Sequence, residues 1–181
     1  ISLGLVGSEM CIRDRFGTTG SIGQSTLRVL RRSKVSYEFI AFSANDSVDQ
    51  LITDCLEFKP KYANIGNKKH YSKLKKALSD TNIIVSFGKH SLLDLASINV
   101  DWSMSAIIGF AGVEVSLRCA EHSNVLALAN KETLVCAGNV LLALCKINNT
   151  KLIPVDSEHS AIFQCLEGER RKDLKLSLIH I

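Results

Sequence analysis

The chain has 181 residues, is 46% hydrophobic and 22% charged, and carries 22 Lys+Arg against 18 Asp+Glu for a formal net charge of +4. These are globular proportions, long enough for a real core, and they argue against a disordered chain; the length suits one domain, or one domain plus part of a second. So mild an excess, with 6% aromatics, gives no electrostatic or stacking footprint for nucleic acid, and no apolar run reaches the roughly 18–20 residues that span a bilayer.

The opening Ile1–Val6 is apolar but short and lacks a basic flank, so it makes a poor signal peptide. From residue 16 onward, short β-type runs alternate with longer segments of helical period. The β-type runs are Phe39–Phe42, Tyr62–Ile65, Ile83–Phe87, Met104–Ile108, Val125–Ala129 and Leu152–Val155. Between them lie Ser21–Arg32, Val48–Phe58, His70–Ser79, Ser91–Ala96, Val113–Glu121, Lys131–Lys146 and Glu158–Leu166. This alternation predicts an α/β fold, Rossmann-like and doubly wound, with a mostly parallel sheet and the start of a second domain. Near-continuous apolar runs such as Ile83-Ile84-Val85 fit strands buried on both faces.

The two ends depart from this plan. A buried strand is expected just before the first glycine turn, yet Arg13-Asp14-Arg15-Phe16 puts three charges there. Burying them unpaired would cost several kcal/mol each. Residues 1–15 are therefore read as a foreign extension, 16–150 as one domain and 151–175 as the truncated start of a second. Residues 176–181, which follow the charge run Glu167–Lys175, are read as a foreign tail. The basic cluster Lys68, Lys69, Lys73, Lys75 and Lys76 reads as a solvated helix face. Six irregularly spaced cysteines form no C-x-x-C, which points to buried, reduced thiols rather than a zinc ribbon or a disulfide framework.

Three segments carry chemistry. The first is Gly17-Thr18-Thr19-Gly20-Ser21-Ile22-Gly23, leading into a helix. Glycines spaced by three permit a tight turn, close approach of a pyrophosphate and close helix packing. The helix that follows would aim its unpaired N–H groups at the phosphates, with Thr19 and Ser21 adding hydroxyls. A merely structural glycine turn is the alternative. The strand after it ends at Phe42-Ser43-Ala44-Asn45-Asp46. In such folds an acid there selects NAD; Ser43 is neutral and leans the choice to NADP(H), while Asp46 weakens that lean.

The second is Asn130-Lys131-Glu132, at the junction of an apolar strand and a helix. Ligands of open α/β sheets sit beyond the carboxyl ends of strands, where Lys131 could meet a phosphate and Asn130 and Glu132 could fix ribose or amide groups. A solvated helix start explains the same residues equally well. The third is Asp156-Ser157-Glu158-His159, two carboxylates flanking a serine at another strand-to-helix junction. Hard cations such as Mg²⁺ or Mn²⁺ take oxygen ligands of this kind, although two carboxylates alone are too few. The competing reading is a helix cap by Asp156 or Ser157. His159 reads as a local hydrogen-bonding residue.

In this order, the segments Gly17–Ser25, Cys55–Ala63, Ala106–Gly112, Leu128–Gly138 and Pro154–Leu166 resemble the 1-deoxy-D-xylulose 5-phosphate reductoisomerase family of the non-mevalonate isoprenoid pathway. The resemblance spans about residues 16–166, and it implies that 16–150 is a Rossmann-like NADPH-binding domain and 151–175 the truncated start of a catalytic domain. It implies NADPH on Thr19, Gly20, Ser21, Ile22, Asn45, Asn130 and Glu132, beside the glycines Gly17 and Gly23. It implies the sugar phosphate substrate on Lys131, Ser157 and Glu158, with Lys131 and Glu158 in catalysis, and a divalent cation (Mg²⁺ or Mn²⁺) on Asp156 and Glu158. Asp46 departs from the neutral or basic residue the resemblance calls for.

The implied reaction is a metal-promoted skeletal rearrangement to an aldehyde followed by hydride transfer from NADPH. The implied enzyme is cytoplasmic and of bacterial type, or plastidic, is a homodimer at full length, and uses neither nucleic acid nor membrane. The 181-residue chain alone is expected to be inactive, with its first strand loosely held. The alternatives are an unrelated NAD(P)-dependent dehydrogenase and a non-catalytic nucleotide-binding module.

Overall fold

The computed structural model describes residues 12–168. In chain order the elements are β1 (Ile12–Phe16), α1 (Ser21–Arg31), β2 (Glu38–Ala44), α2 (Val48–Phe58), β3 (Tyr62–Ile65), a 3-10 turn (Lys68–His70), α3 (Tyr71–Ala77), β4 (Ile84–Phe87), α4 (Gly88–Ala96), β5 (Val100–Ser105), α5 (Ala111–His122), β6 (Ser123–Leu128), α6 (Lys131–Ile147), β7 (Lys151–Pro154) and α7 (Ser157–Cys165). The strands form one sheet in the order β4-β3-β2-β1-β5-β6-β7, and every neighbouring pair is parallel. The chain winds outward from β1 in both directions. The winding reverses between β1 and β5, which is where open α/β sheets open a crevice.

Helices cover both faces. On one, Leu27 and Leu30 of α1, Leu51 and Cys55 of α2 and Leu74 of α3 pack on Phe39, Phe42, Ala63 and Ile65. On the other, Leu95 of α4, Val115 and Cys119 of α5 and Leu141 of α6 pack on Phe16, Ile40, Leu126 and Leu128. Each fully buried Leu contributes roughly 2 kcal/mol of transfer free energy. Helix α2 stops where Lys59 adopts the left-handed conformation (φ 50°) and Pro60 follows, so neither residue continues the helix. Helix α6 is broken at Ala137, whose φ and ψ are −139° and 21°.

Three observations bear on these expectations. First, Ile12–Phe16 is a strand, and it lies at the centre of the sheet, paired with β2 on one side and β5 on the other. The expected boundary between residues 15 and 16 therefore cuts through a structural element. Two parallel ladders satisfy the strand's backbone, with a register irregularity opposite β2 between Arg13 and Arg15, and Phe16 is fully buried. Charge in the sequence weighs side chains and says nothing of these backbone bonds. Second, the boundary expected after residue 150 is no break in the sheet, because β7 pairs with β6 from Lys151 to Pro154. Third, of the cysteines in the described residues, Cys55, Cys119 and Cys145 are buried but Cys136 and Cys165 are exposed. Burial pushes the Cys55 thiol up to about 12, with Asp54 adding to the effect. The calls on residues 1–11 and 176–181, and on the charge run past residue 168, lie outside the described residues.

Helices α1 and α2 are tied at the surface by the Arg31 guanidinium, which donates to both oxygens of Glu57. That hydrogen bond, more than the Coulomb attraction, holds the Glu57 carboxyl below its ordinary range. A lowered native value means stabilisation that is present above the ordinary carboxylate range and lost as pH falls below it. Because the pair is exposed, Glu57→Gln should lower the melting temperature by only about 1–2 °C at neutral pH. That difference should shrink as pH falls below the ordinary carboxylate range, which thermal melts across pH will read.

Candidate active site

The carboxyl ends of the central strands are in step. Phe16 pairs with Ser105, Ser105 with Leu128 and Leu128 with Pro154. The next residue on three of these strands extends the ladder, with Ala106, Ala129 and Val155 N–H groups donating to Phe16, Ser105 and Leu128 carbonyls, each at 2.9 Å. The loops after β1, β5, β6 and β7 consequently emerge side by side along one edge. All three chemistry-bearing segments of the sequence lie in these loops.

A cavity of about 770 Å³ opens there, between the loops after β1, β2, β3 and β5. Thr19, Ser43, Asn45, Asp46, Asn64 and Ile107 contribute to its walls. The glycine turn reaches it through Thr19, and the turn's three glycines do different work. Gly17 has φ +82°, and a Cβ there would stand 2.6 Å from the Ala106 carbonyl oxygen. A Cβ on Gly23 would lie 2.2 Å from the Thr18 oxygen. Both are glycine because the fold requires it.

Gly20 is different. It is extended (φ −71°, ψ 168°), and a Cβ would meet nothing nearer than the Gly17 oxygen at 3.5 Å. The protein itself has room for a side chain there, so a glycine leaves that space to a ligand. Gly20 caps α1 without a side-chain hydrogen bond, and the first turn holds no acid, which keeps the helix's N–H groups and positive end available to an anion. Thr19 lines the cavity, Ser21 is exposed, and Ile22 packs inward against the Trp102 and Met104 cluster.

Ser43, although it contributes to the wall, is buried: its hydroxyl accepts from Gly17 N–H at 3.1 Å, and its backbone N–H donates to Thr18 Oγ1. The serine locks the turn to β2. Asn64 of β3, fully buried, donates to Ser86 Oγ at 2.9 Å while its Oδ1 has no partner. A buried acceptor without a donor is costly, and a ligand amine or hydroxyl in the cavity would satisfy it. A polar residue inside the apolar run Tyr62–Ile65 was the signal for it, and the sequence reading passed over it.

Asn130 is buried and its amide is fully engaged. Nδ2 donates to the carbonyls of Ile107 (2.7 Å) and Gly109 (2.9 Å), and Oδ1 accepts from Thr133 N–H at 2.8 Å and from the Thr133 hydroxyl. It caps α6 and clips the cavity loop to that helix, so its side chain positions the site. Thr133 extends the link to Ser116 at 3.1 Å, and Ser116 to Ser105 at 2.8 Å. Glu132 lies in the first turn of α6, and Lys131 is exposed at its start.

Asp156 is indeed a helix cap. Its Oδ1 accepts from His159 N–H at 3.0 Å and from His159 Nδ1 at 2.7 Å, which also gives His159 the local role expected of it. Glu158 follows it, with the Ser157 hydroxyl donating to Oε2 at 2.9 Å. Its carboxyl is held below the ordinary range by its own backbone N–H, then by Ser157, and also by Lys131 across the loop. Lys131, Ser157 and Glu158 are thus brought together at the β6 and β7 ends. Among the described residues, no group of three His, Cys, Asp or Glu side chains could hold a metal ion.

A family model described as 1-deoxy-D-xylulose 5-phosphate reductoisomerase matches residues 15–138. The chain belongs to this reductoisomerase family. Reductoisomerases from Ruegeria sp. (strain TM1040) and Lachnospira eligens are 41% and 39% identical over 164 residues each. Those matches take in 91% and 90% of this chain but 42% and 43% of the relatives, so the chain spans less than half of their length. Among solved structures, the Zymomonas mobilis reductoisomerase in complex with NADPH superposes with a TM-score of 0.83 at 39% identity, covering 87% of this chain and 42% of that one. A reductoisomerase bound to NADPH, fosmidomycin and magnesium gives 0.80 at 34% identity, covering 86% and 38%. Family membership replaces the alternative of an unrelated dehydrogenase. Everything lining the cavity, together with Asn130–Glu132, falls inside the matched segment.

Proposed function

We propose that this chain is the NADPH-binding part of a metal-dependent reductoisomerase that converts 1-deoxy-D-xylulose 5-phosphate to 2-C-methyl-D-erythritol 4-phosphate. The observation that carries it is the family match over residues 15–138, which contains the whole cavity. The open space above Gly20, the uncapped start of α1 and the orphan acceptor of Asn64 fit a dinucleotide. The pyrophosphate would lie on the Gly17–Gly23 turn with Thr19, Ser21 and Ile22 contributing, Asn45 would face the ribose, and Glu132 would stand toward the nicotinamide side.

Lys131 would hold the anionic substrate together with Ser157 and Glu158. Asp156 and Glu158 are oxygen donors that suit Mg²⁺ or Mn²⁺, and His159 holds Asp156 in a fixed orientation. When bound, the cation supplies Lewis-acid polarisation and NADPH supplies hydride. The described residues provide two of the metal's ligands. In this reading the full-length enzyme is a cytoplasmic homodimer whose partner is a sugar phosphate, not nucleic acid or membrane. No described helix is long and apolar enough to cross a membrane.

Asp156→Asn tests the metal assignment, because the amide keeps an oxygen for the helix cap. In a chain of the relatives' length carrying these residues, Mn²⁺-dependent turnover should be abolished. NADPH affinity, read by fluorescence titration, should stay within about twofold because the sites are separate. Equal loss of both would make Asp156 a structural cap and nothing more.

A further inference from the structure

One side of the cavity carries a polar row. Ser43 of β2, Asn64 of β3 and Ser86 of β4 pair in register, so their side chains leave the same face of the sheet. Ala41 and Tyr62, two residues earlier on β2 and β3, sit in the core with α4 and α5, which identifies that face. Ser43 engages its hydroxyl with the Gly17 N–H. Asn64 is fully buried, and its Nδ2 donates to Ser86 Oγ at 2.9 Å and to the Gly88 carbonyl at 3.4 Å. Its Oδ1 has no partner, and among the described residues no other buried side-chain polar atom stands so. Turning the amide over would set Oδ1 against the Gly88 carbonyl oxygen, so it is the acceptor that stays free.

The helices and the loop that line the same cavity are apolar where they do so. Leu92 of α4, Ile107 after β5, and Val113 and Leu117 of α5 contribute there. Apolar walls with one polar group at the edge suit a flat ring carrying a single donor. A sugar or a phosphate would bring hydroxyls or charge that these four side chains cannot satisfy. Asn64 also lies on the β2, β3 and β4 side of the sheet, whereas Lys131 and Glu158 stand at the β6 and β7 ends. The ring that reaches Asn64 is therefore the base far from the reacting groups, not the nicotinamide.

We propose that Asn64 reads the adenine base of the dinucleotide, its Oδ1 accepting a hydrogen bond from the exocyclic amine. The inference rests on the dinucleotide reading of the cavity given above. It goes beyond that reading by naming the atom that distinguishes an amino-bearing base from one with a carbonyl in its place. Asn64 thereby has two duties: its donor ties β3 to β4 and the start of α4, and its acceptor meets the ligand.

The test is fluorescence titration of the 181-residue chain with NADPH and with deamino-NADPH, in which a carbonyl oxygen replaces the adenine amine. The analogue should bind about tenfold more weakly, since one hydrogen bond is lost and two acceptors are left facing each other in a buried place. Asn64→Val puts a residue suited to a strand at this position and removes the acceptor. It should weaken NADPH until the two affinities lie within about twofold of each other. Asn64→Ala gives the same reading should the valine variant fail to fold, which circular dichroism melts will show. Equal affinity of the parent for both dinucleotides, or a preference for NADPH that survives in the variants, overturns this inference while leaving the dinucleotide site standing. Binding of neither dinucleotide overturns the reading of the cavity itself, and this inference with it.

Discussion

Gly20→Val should fold normally and bind NADPH at least about a hundredfold more weakly, which corresponds to roughly 2.7 kcal/mol. The backbone at Gly20 is in the extended region, open to a β-branched residue, and the nearest protein atom to a new Cβ is 3.5 Å away. The valine branches would occupy the space over which a pyrophosphate must approach. Gly23→Ala is the matched control. Its Cβ would lie 2.2 and 2.5 Å from the Thr18 and Gly17 carbonyl oxygens, so the turn must deform, at a cost of about 3 kcal/mol or more. Thermal melts and NADPH titration of both variants separate ligand space from folding space. If Gly20→Val binds NADPH like the parent, the turn is a structural glycine turn and the dinucleotide reading fails there.

The second large effect is expected at Asn130. Its replacement by Ala removes the cap of α6 and leaves the Ile107 and Gly109 carbonyls without their donor. A lost cap costs about 1 kcal/mol and unsatisfied carbonyls add to it, for a total of about 2–4 kcal/mol. The melting temperature should fall by about 5–15 °C. Asn130→Asp keeps the acceptor for Thr133 but not the two donors, so it should recover the cap alone. Full recovery by Asp would show that the clip to the cavity loop contributes nothing.

The alternation of strand and helix was legible because buried parallel strands leave apolar runs, and Val48–Phe58 and Tyr62–Ile65 stand where the sequence places them. The strand expected over Met104–Ile108 lies instead at Val100–Ser105. Val-Asp-Trp-Ser-Met-Ser alternates apolar and polar, the weaker signal, whereas Ala106-Ile107-Ile108 is continuously apolar. That run lines the cavity, and Ile108 is 84% exposed. Apolarity at a cavity wall is indistinguishable, along one chain, from apolarity in a core.

Site residues followed the same divide. The candidates Asp156, Ser157, Glu158 and Lys131 could be singled out because each sits beside its own helix start. The work of Asn130 was hidden because its acceptors lie 23 and 21 residues back in the chain. The strand at Ile12–Phe16 was hidden because its warrant is a backbone ladder with two neighbours remote in sequence.

The break at Ala137 changes how Lys131 travels. A helix interrupted there is two rods in series, and the short first rod, with Lys131 at its head, can swing without dragging the long second one. Asn130 meanwhile fastens that head to Ile107 and Gly109. The start of α6 is therefore held from two sides, by its own backbone up to the break and by two side-chain hydrogen bonds to the loop that rims the cavity.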